Sequence, residues 1–164
     1  MSSQSDLDDA LRLIGTKPEL GTWAGGVREP AIIGAEQRLD LHFPPTFRTF
    51  LRLLGGGGYW GDVVAGLSED GKGDDIRFLT ELERATGDFP PDLLVIGPDG
   101  TGGLYAIRCG ISGSEGPVLW ASPSIKPDQR ALHPVAEHFG GFLRALVEEA
   151  IEAQDPSPDA PEDM

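Results

Sequence analysis

The sequence predicts a single α+β domain: a mainly antiparallel sheet flanked by helices. Three observations carry that expectation. Residues 29–54 contain two stretches whose apolar side chains recur at helical spacing. Residues 93–121 contain three short apolar runs separated by glycine- and proline-rich turns, which suit antiparallel neighbours. Residues 135–150 return to helical spacing. A length of 164 residues is enough for one domain with its own core.

The stretch from Glu29 to Gly61 organises the rest. Pro30 suits the first turn of a helix, where its missing N–H has no helical partner. Ile32, Ala35, Glu36 and Leu39 then form a mostly apolar stripe with one carboxylate beside it. Pro44 and Pro45 interrupt the helix, because an interior proline loses a hydrogen bond and clashes with the preceding turn. Pro45 opens a second helix whose stripe is Phe47, Phe50, Leu51 and Leu54, with Arg48 and Arg52 pointing away. Gly55 ends it, since glycine enters the left-handed cap without strain.

The other elements follow in order. Ser5 to Ile14 is expected to be a short helix capped by Ser5, with Leu7, Leu11 and Ile14 on one face. Residues 15–27 are expected to be a loop with Trp23 packed down. Gly61 to Leu67 is an apolar, glycine-bounded strand and residues 68–75 a polar loop. Ile76 to Thr86 is a helix with Phe78, Leu79, Leu82 and Ala85 on its core side. Strands follow at 93–97, 104–109 and 118–121, with a polar loop at 122–131. In the last helix, Val135 to Ala150, the core face is Phe139, Phe142, Leu143, Leu146 and Val147. Gly140 and Gly141 inside it imply a close approach to the sheet, since glycine otherwise costs a helix about 1 kcal/mol. The expected organisation is an N-terminal helix and loop (1–22), a main domain (23–152) and an acidic disordered tail (153–164).

The formal net charge is −14, and its distribution is uneven. Residues 148–164 carry seven acids and no base, and residues 69–92 carry eight acids against Lys72, Arg77 and Arg84. Phosphate contacts need lysine and arginine clusters, so nucleic-acid binding is not expected. A basic protein partner would be drawn to such a surface, and solubility alone is the other reading. The single cysteine, Cys109, cannot form an internal disulfide, which fits a reducing compartment. No basic start followed by an apolar run suggests a signal peptide, and no stretch has the ~20 apolar residues of a membrane helix. A soluble cytoplasmic protein is expected.

Residue patterns for catalysis, metal or cofactor binding are not found. His133 and Glu137 are only two ligands, and a zinc site takes three or four. Gly55 to Gly58 are followed by Tyr59 and Trp60, where a phosphate loop needs lysine and Ser/Thr, so they read as a helix stop and turn. Cys109 lies among apolar neighbours and reads as core filler. Glu36 reads as a cap for a backbone group in the turn or as part of a binding surface. Tyr59 and Trp60 either cover the core or are presented on the turn as interface aromatics.

In order and spacing these pieces resemble the signature of the SMI1/KNR4 (SUKH) superfamily. The matching residues are Ile32, Ile33, Glu36, Leu39, Phe43-Pro44, Phe47, Phe50-Leu51 and Gly55 to Gly58. Later ones are Gly66-Leu67, Leu94 to Gly97, Asp99-Gly100, Leu104-Tyr105, Gly116 to Val118, and Phe139, Phe142 and Leu143. The family usually has Leu-Pro and Asn-Gly-Gly where this chain has Phe-Pro and four glycines. The resemblance implies a SUKH-like fold and, in the bacterial type, a non-enzymatic immunity protein. Such a protein binds and neutralises a toxin, often a nuclease; the alternative is an intracellular regulatory or interaction module without a toxin. The expected contact residues are the aromatics Tyr59 and Trp60 with the acids Glu69, Asp70, Asp74, Asp75, Glu81 and Glu83.

The central place of Phe50 in its stripe gives a first test. Phe50→Ala is expected to lower stability by about 3–5 kcal/mol, the range for a large aromatic truncated in a packed site. A denaturant or thermal melt indistinguishable from wild type would refute the assignment of that helix face.

Overall fold

A computed structural model describes residues 2–59, 62–68, 75–87, 89–122 and 131–154. Among these residues it contains five α-helices and two antiparallel sheets, the α+β architecture expected from the sequence. Helix α1 (Ser3–Thr16) leads through a 3-10 turn at Pro18–Leu20 into strand β1 (Thr22–Trp23). The helix pair follows as α2 (Glu29–Leu39) and α3 (Pro45–Leu53). Strands β2 (Gly57–Tyr59) and β3 (Asp62–Val64) complete a three-stranded sheet of order β1-β2-β3. After α4 (Ile76–Arg84), strands β4 (Leu93–Pro98), β5 (Leu104–Arg108), β6 (Val118–Ala121) and β7 (Leu132–Ala136) form a four-stranded meander. Helix α5 (Phe139–Gln154) closes the described chain. The two sheets meet where Ala65 N–H donates to Ile96 O at 2.7 Å.

The core is built on the stripe of α3. Phe47 and Phe50 are fully buried and stacked with centroids 5.8 Å apart. Phe139 of α5 packs edge-on against Phe47 at 5.0 Å and lies 5.2 Å from Phe50. Phe43 and Trp23 complete the ring cluster at 5.9 and 6.4 Å. Aromatic pairs in these offset and edge-to-face geometries contribute about 0.5–1.5 kcal/mol each beyond their area.

Two carboxylates clip the helix pair in place. Glu36 Oε2 accepts from Phe43 N–H at 2.8 Å, and its Oε1 accepts from Arg48 Nη2 at 3.0 Å. Glu36 is therefore the backbone cap that was one of its two readings. Pro44, at the N-cap of α3, offers no side-chain acceptor. Glu115 supplies it from the β5–β6 connection, accepting from Thr46 N–H at 2.9 Å and Thr46 Oγ1 at 2.7 Å. One of the orphan donors at the helix start is thus satisfied from a distant part of the chain.

Several local expectations are corrected. Ser2, not Ser5, caps α1, accepting from Ser5 N–H at 3.1 Å. Residues 132–136 form edge strand β7, not the start of the last helix. Pro134 is tolerated there because an edge strand can lack a donor, and His133 stacks on Trp120 of the neighbouring strand at 5.7 Å. The larger sheet buries apolar residues on both faces. Leu94, Ile96, Ile107 and Val118 meet the main core, while Leu93, Val95, Ala106 and Leu119 form a second cluster with Phe89 and the partly buried Leu79 and Leu132.

Gly140 is explained by α1, not by the sheet. A Cβ there would run into the Ser3 carbonyl oxygen and lie 3.1 Å from Leu7 N. At Gly141 a Cβ would meet side chains rather than backbone, the His138 ring at 3.2 Å and Asp6 Oδ2 at 3.6 Å. The two glycines should therefore respond differently. Gly140→Ala is expected to destabilise by about 1–3 kcal/mol, as overpacking does, although alanine is the better helix former. Gly141→Ala should stay within about 1 kcal/mol of wild type. Equal effects in parallel denaturant titrations would contradict the close α1–α5 approach.

Candidate interaction surface

The segment leading into α4 is held by one fully buried carboxylate. Asp75 Oδ2 accepts from Ser68 N–H at 2.8 Å, Ser68 Oγ at 3.1 Å and Arg77 Nη2 at 2.7 Å. Asp75 Oδ1 accepts from Arg77 N–H at 2.7 Å and Arg77 Nε at 3.0 Å, making Asp75 the N-cap of α4. Ile76 N–H then donates to Gly66 O at 2.8 Å. Residues 68 and 75 are thereby tied together.

This latch sets the rotation of α4. Ile76 and Thr80 are fully buried, and Thr80 Oγ1 accepts from Val95 N–H at 3.0 Å, satisfying a donor at the edge of β4. Leu79 packs on the same side. Phe78 and Leu82, expected in the core, are 41% and 55% exposed on the outward face. Two stripes overlap in this helix, and the sequence pattern favoured the wrong one. The signal that could have found the right one is Asp75 as an N-cap, which puts Ile76 rather than Phe78 against the sheet.

Of the eight expected contact residues, Trp60, Glu69, Asp70 and Asp74 lie outside the described residues. Tyr59 sits in the central strand of the small sheet, 8% exposed and edge-on to Trp23 at 5.6 Å. It is not presented on a turn; of its two readings, the covering of the core is the one realised. Asp75 is engaged in the latch and has no exposed surface. Glu81 forms a two-pronged pair with Arg38 of α2, at 2.5 and 3.0 Å. The hydrogen bond from Arg38 holds the Glu81 carboxyl below its ordinary pKa, so it stays charged. Glu83 is partly buried on the same helix. The structure therefore joins Asp75, Arg77, Glu81 and Arg38 in one charged cluster and leaves Tyr59 apart, in the hydrophobic core beside Trp23.

The acidic reading of residues 69–92 needs the same refinement. Asp75 is balanced by Arg77, Glu81 by Arg38, and Asp92 by Arg108 at 3.2 Å. What distinguishes the outward side of α4 is the exposed pair Phe78 and Leu82, one helical turn apart. Neither was singled out as a contact residue from the sequence.

Chemically reactive arrangements are not assembled elsewhere in the described chain. Cys109 is 6% exposed, and burial pushes its thiol pKa up to about 12, with Asp92 adding to the shift, so it is a protonated core residue. His138 caps α5, its Nδ1 accepting from Gly141 N–H at 3.0 Å. Among the described residues, no group of three or more His, Cys, Asp or Glu side chains is placed to hold a metal ion. No described helix is long and apolar enough to cross a membrane.

The family model of the SMI1/KNR4 family (SUKH-1) matches residues 26–145, well over half of the chain. The protein belongs to the SMI1/KNR4 family. No curated protein matches it. The SMI1/KNR4 match starts after β1 and ends within α5, so it contains the helix pair, the Glu36 and Glu115 clips, the Asp75 latch and the whole four-stranded sheet. Helix α1 lies outside the match, yet Leu7, Ala10 and Ile14 are buried in the common core.

The latch yields a stability test with a defined pH sign. Burial alone would raise the Asp75 pKa, but hydrogen bonds from Arg77 and Ser68 outweigh it and hold the carboxyl below its ordinary value. A depressed folded-state pKa contributes stability that is present above the unfolded value of about 4 and lost as pH falls through the folded value. Asp75→Asn is expected to cost about 3–5 kcal/mol, the range for breaking a buried ion pair, and to flatten the acid limb of stability against pH. An unchanged acid limb in urea titrations between neutral and acid pH would sink the assignment.

Proposed function

We propose that this SMI1/KNR4 protein is a cytoplasmic immunity protein, one that binds a cognate bacterial toxin and neutralises it without catalysis. The observation that carries the reading is the family match, since SUKH proteins include immunity proteins. The net charge of −14 supports it. A nuclease toxin needs a basic face for its substrate, and an acidic protein is drawn to such a face and can occlude it.

The proposed contact surface includes the acidic residues Glu69, Asp70, Asp74, Glu81 and Glu83 together with Trp60. To these the exposed Phe78 and Leu82 of α4 add apolar area. In such an interface charge governs the rate of encounter, and desolvated apolar anchors govern the rate of dissociation. Tyr59 and Asp75 would act from beneath, by supporting the surface rather than by touching the partner.

The test begins with the gene beside the one for this chain: a toxin encoded there supplies the C-terminal domain to be used, and its absence favours the regulatory module. Wild-type protein should bind that domain, more slowly at high salt, and should protect cells that express it. Phe78→Ala combined with Leu82→Ala should leave the fold intact, because neither side chain belongs to a core cluster, and speed dissociation by about 10-fold or more. Unchanged kinetics in the folded double variant would place the interface elsewhere. A wild-type protein that neither binds nor protects would favour a regulatory module over an immunity protein.

A further inference from the structure

Arg84 stands apart from the other arginines. Arg48, Arg77 and Arg144, partly buried as Arg84 is, each face a carboxylate at 2.7–3.0 Å. Arg84 forms no ion pair among the described residues; its charge is felt at Glu81, but that carboxylate is paired with Arg38. Its one hydrogen bond there runs from Nη2 to the neutral Pro91 O at 3.0 Å, and its Nε is buried without an acceptor. A half-buried cation with an orphaned N–H is costly, because both the charge and the donor lose their water.

Arg84 lines a cavity of about 450 Å³ between the α2–α3 elbow and the start of the larger sheet. Leu39, Leu41, Pro91 and Cys109 give it apolar walls, and the exposed His42 stands at the elbow beside it. Two acids also line it. Asp92 is paired with Arg108, and Asp40 is exposed in a left-handed conformation at the end of α2. Neither is within ion-pair distance of Arg84.

We infer that this cavity is a binding site for a carboxylate carried on a short aliphatic group, with Arg84 as the counter-charge and the four apolar side chains as the seat for the aliphatic part. The guanidinium is suited to carboxylates, and its planar donor set favours them over a neutral amide of the same shape. Two sources share this chemistry: a small free carboxylic acid, and the C-terminal residue of a peptide. The inference is independent of the toxin reading, because it rests on different residues and a ligand of the opposite charge.

The Nε–H of Arg84, assigned in a ¹H–¹⁵N NMR spectrum of the full chain, reports directly on the site. Titration with N-acetyl-leucine should shift it saturably, with a Kd of about 1 mM or tighter for a ligand of this size. N-acetyl-leucinamide should bind at least about 10-fold more weakly, because it lacks the charge. Isovalerate, a free acid with no peptide group, should match N-acetyl-leucine if small acids are the ligand. It should fall short if a chain terminus is read. In Arg84→Gln, shifts of neighbouring backbone amides should no longer distinguish acid from amide. No saturable shift in the wild type, or equal binding of acid and amide there, overturns the inference whether or not the variant folds.

Discussion

The fold depends on one place where backbone lies directly on backbone. Behind α3, residues 24–27 run alongside the helix end and β2: Val27 N–H donates to Leu51 O, Gly25 N–H to Leu54 O and Ala24 N–H to Gly56 O, each at 2.9 Å. Residue 67 closes the other side, donating to Gly55 O at 3.1 Å. A Cβ on Gly55 would strike the Gly25 carbonyl, and one on Gly57 the Thr22 carbonyl. Only glycine permits this spacing, and Gly55, Gly56 and Gly57 also hold positive φ values of 73°, 129° and 131°. The crossing aims α3 so that Phe47 and Phe50 meet Phe139, and it brings the small sheet to the larger one.

Acidity has two uses in this chain. Some carboxylates are internal fasteners. Glu36 and Glu115 cap the helix pair, Asp75 caps α4, and Asp6 with Asp9 binds Arg144 across α1 and α5. Glu36, Asp75, Asp6 and Asp9 each face an arginine, so their charge adds little to the field that a partner meets, whereas Glu115 is held, among the described residues, by the neutral Thr46 alone. A net charge therefore overstates the acidic surface, and residue-by-residue pairing is the better guide to where a basic partner would be steered.

Apolar exposure is distributed just as selectively. The edge of β4 is protected by Thr80 and Ala65, which engage Val95 N–H and Ile96 O. Helix α4 thus covers a sheet edge with one face and offers Phe78 and Leu82 to solvent with the other. A covered edge limits unwanted strand pairing. The outward pair contributes little to the core, which leaves it available for the partner contact proposed above.

The sequence by itself determined the α+β class, the paired helices with their proline break, the buried stripe of α3, the meander of three strands and the family. These are legible because helical and strand periodicity, proline and glycine act over a few residues. Tertiary structure alone decided the strands at Thr22–Trp23, which is too short to show a period, and at Gly57–Tyr59 and Leu132–Ala136, where glycine or proline hides any apolar pattern. It also decided which face of α4 points inward. Phe78–Leu82 and Ile76–Leu79–Thr80 are both plausible stripes, and a buried hydrogen-bonded carboxylate, invisible to periodicity, selects between them. The same holds for the orphaned Arg84 and the trans cap of Thr46 by Glu115. Each depends on which groups fail or manage to find partners far away in the chain, and that is settled only when the core closes.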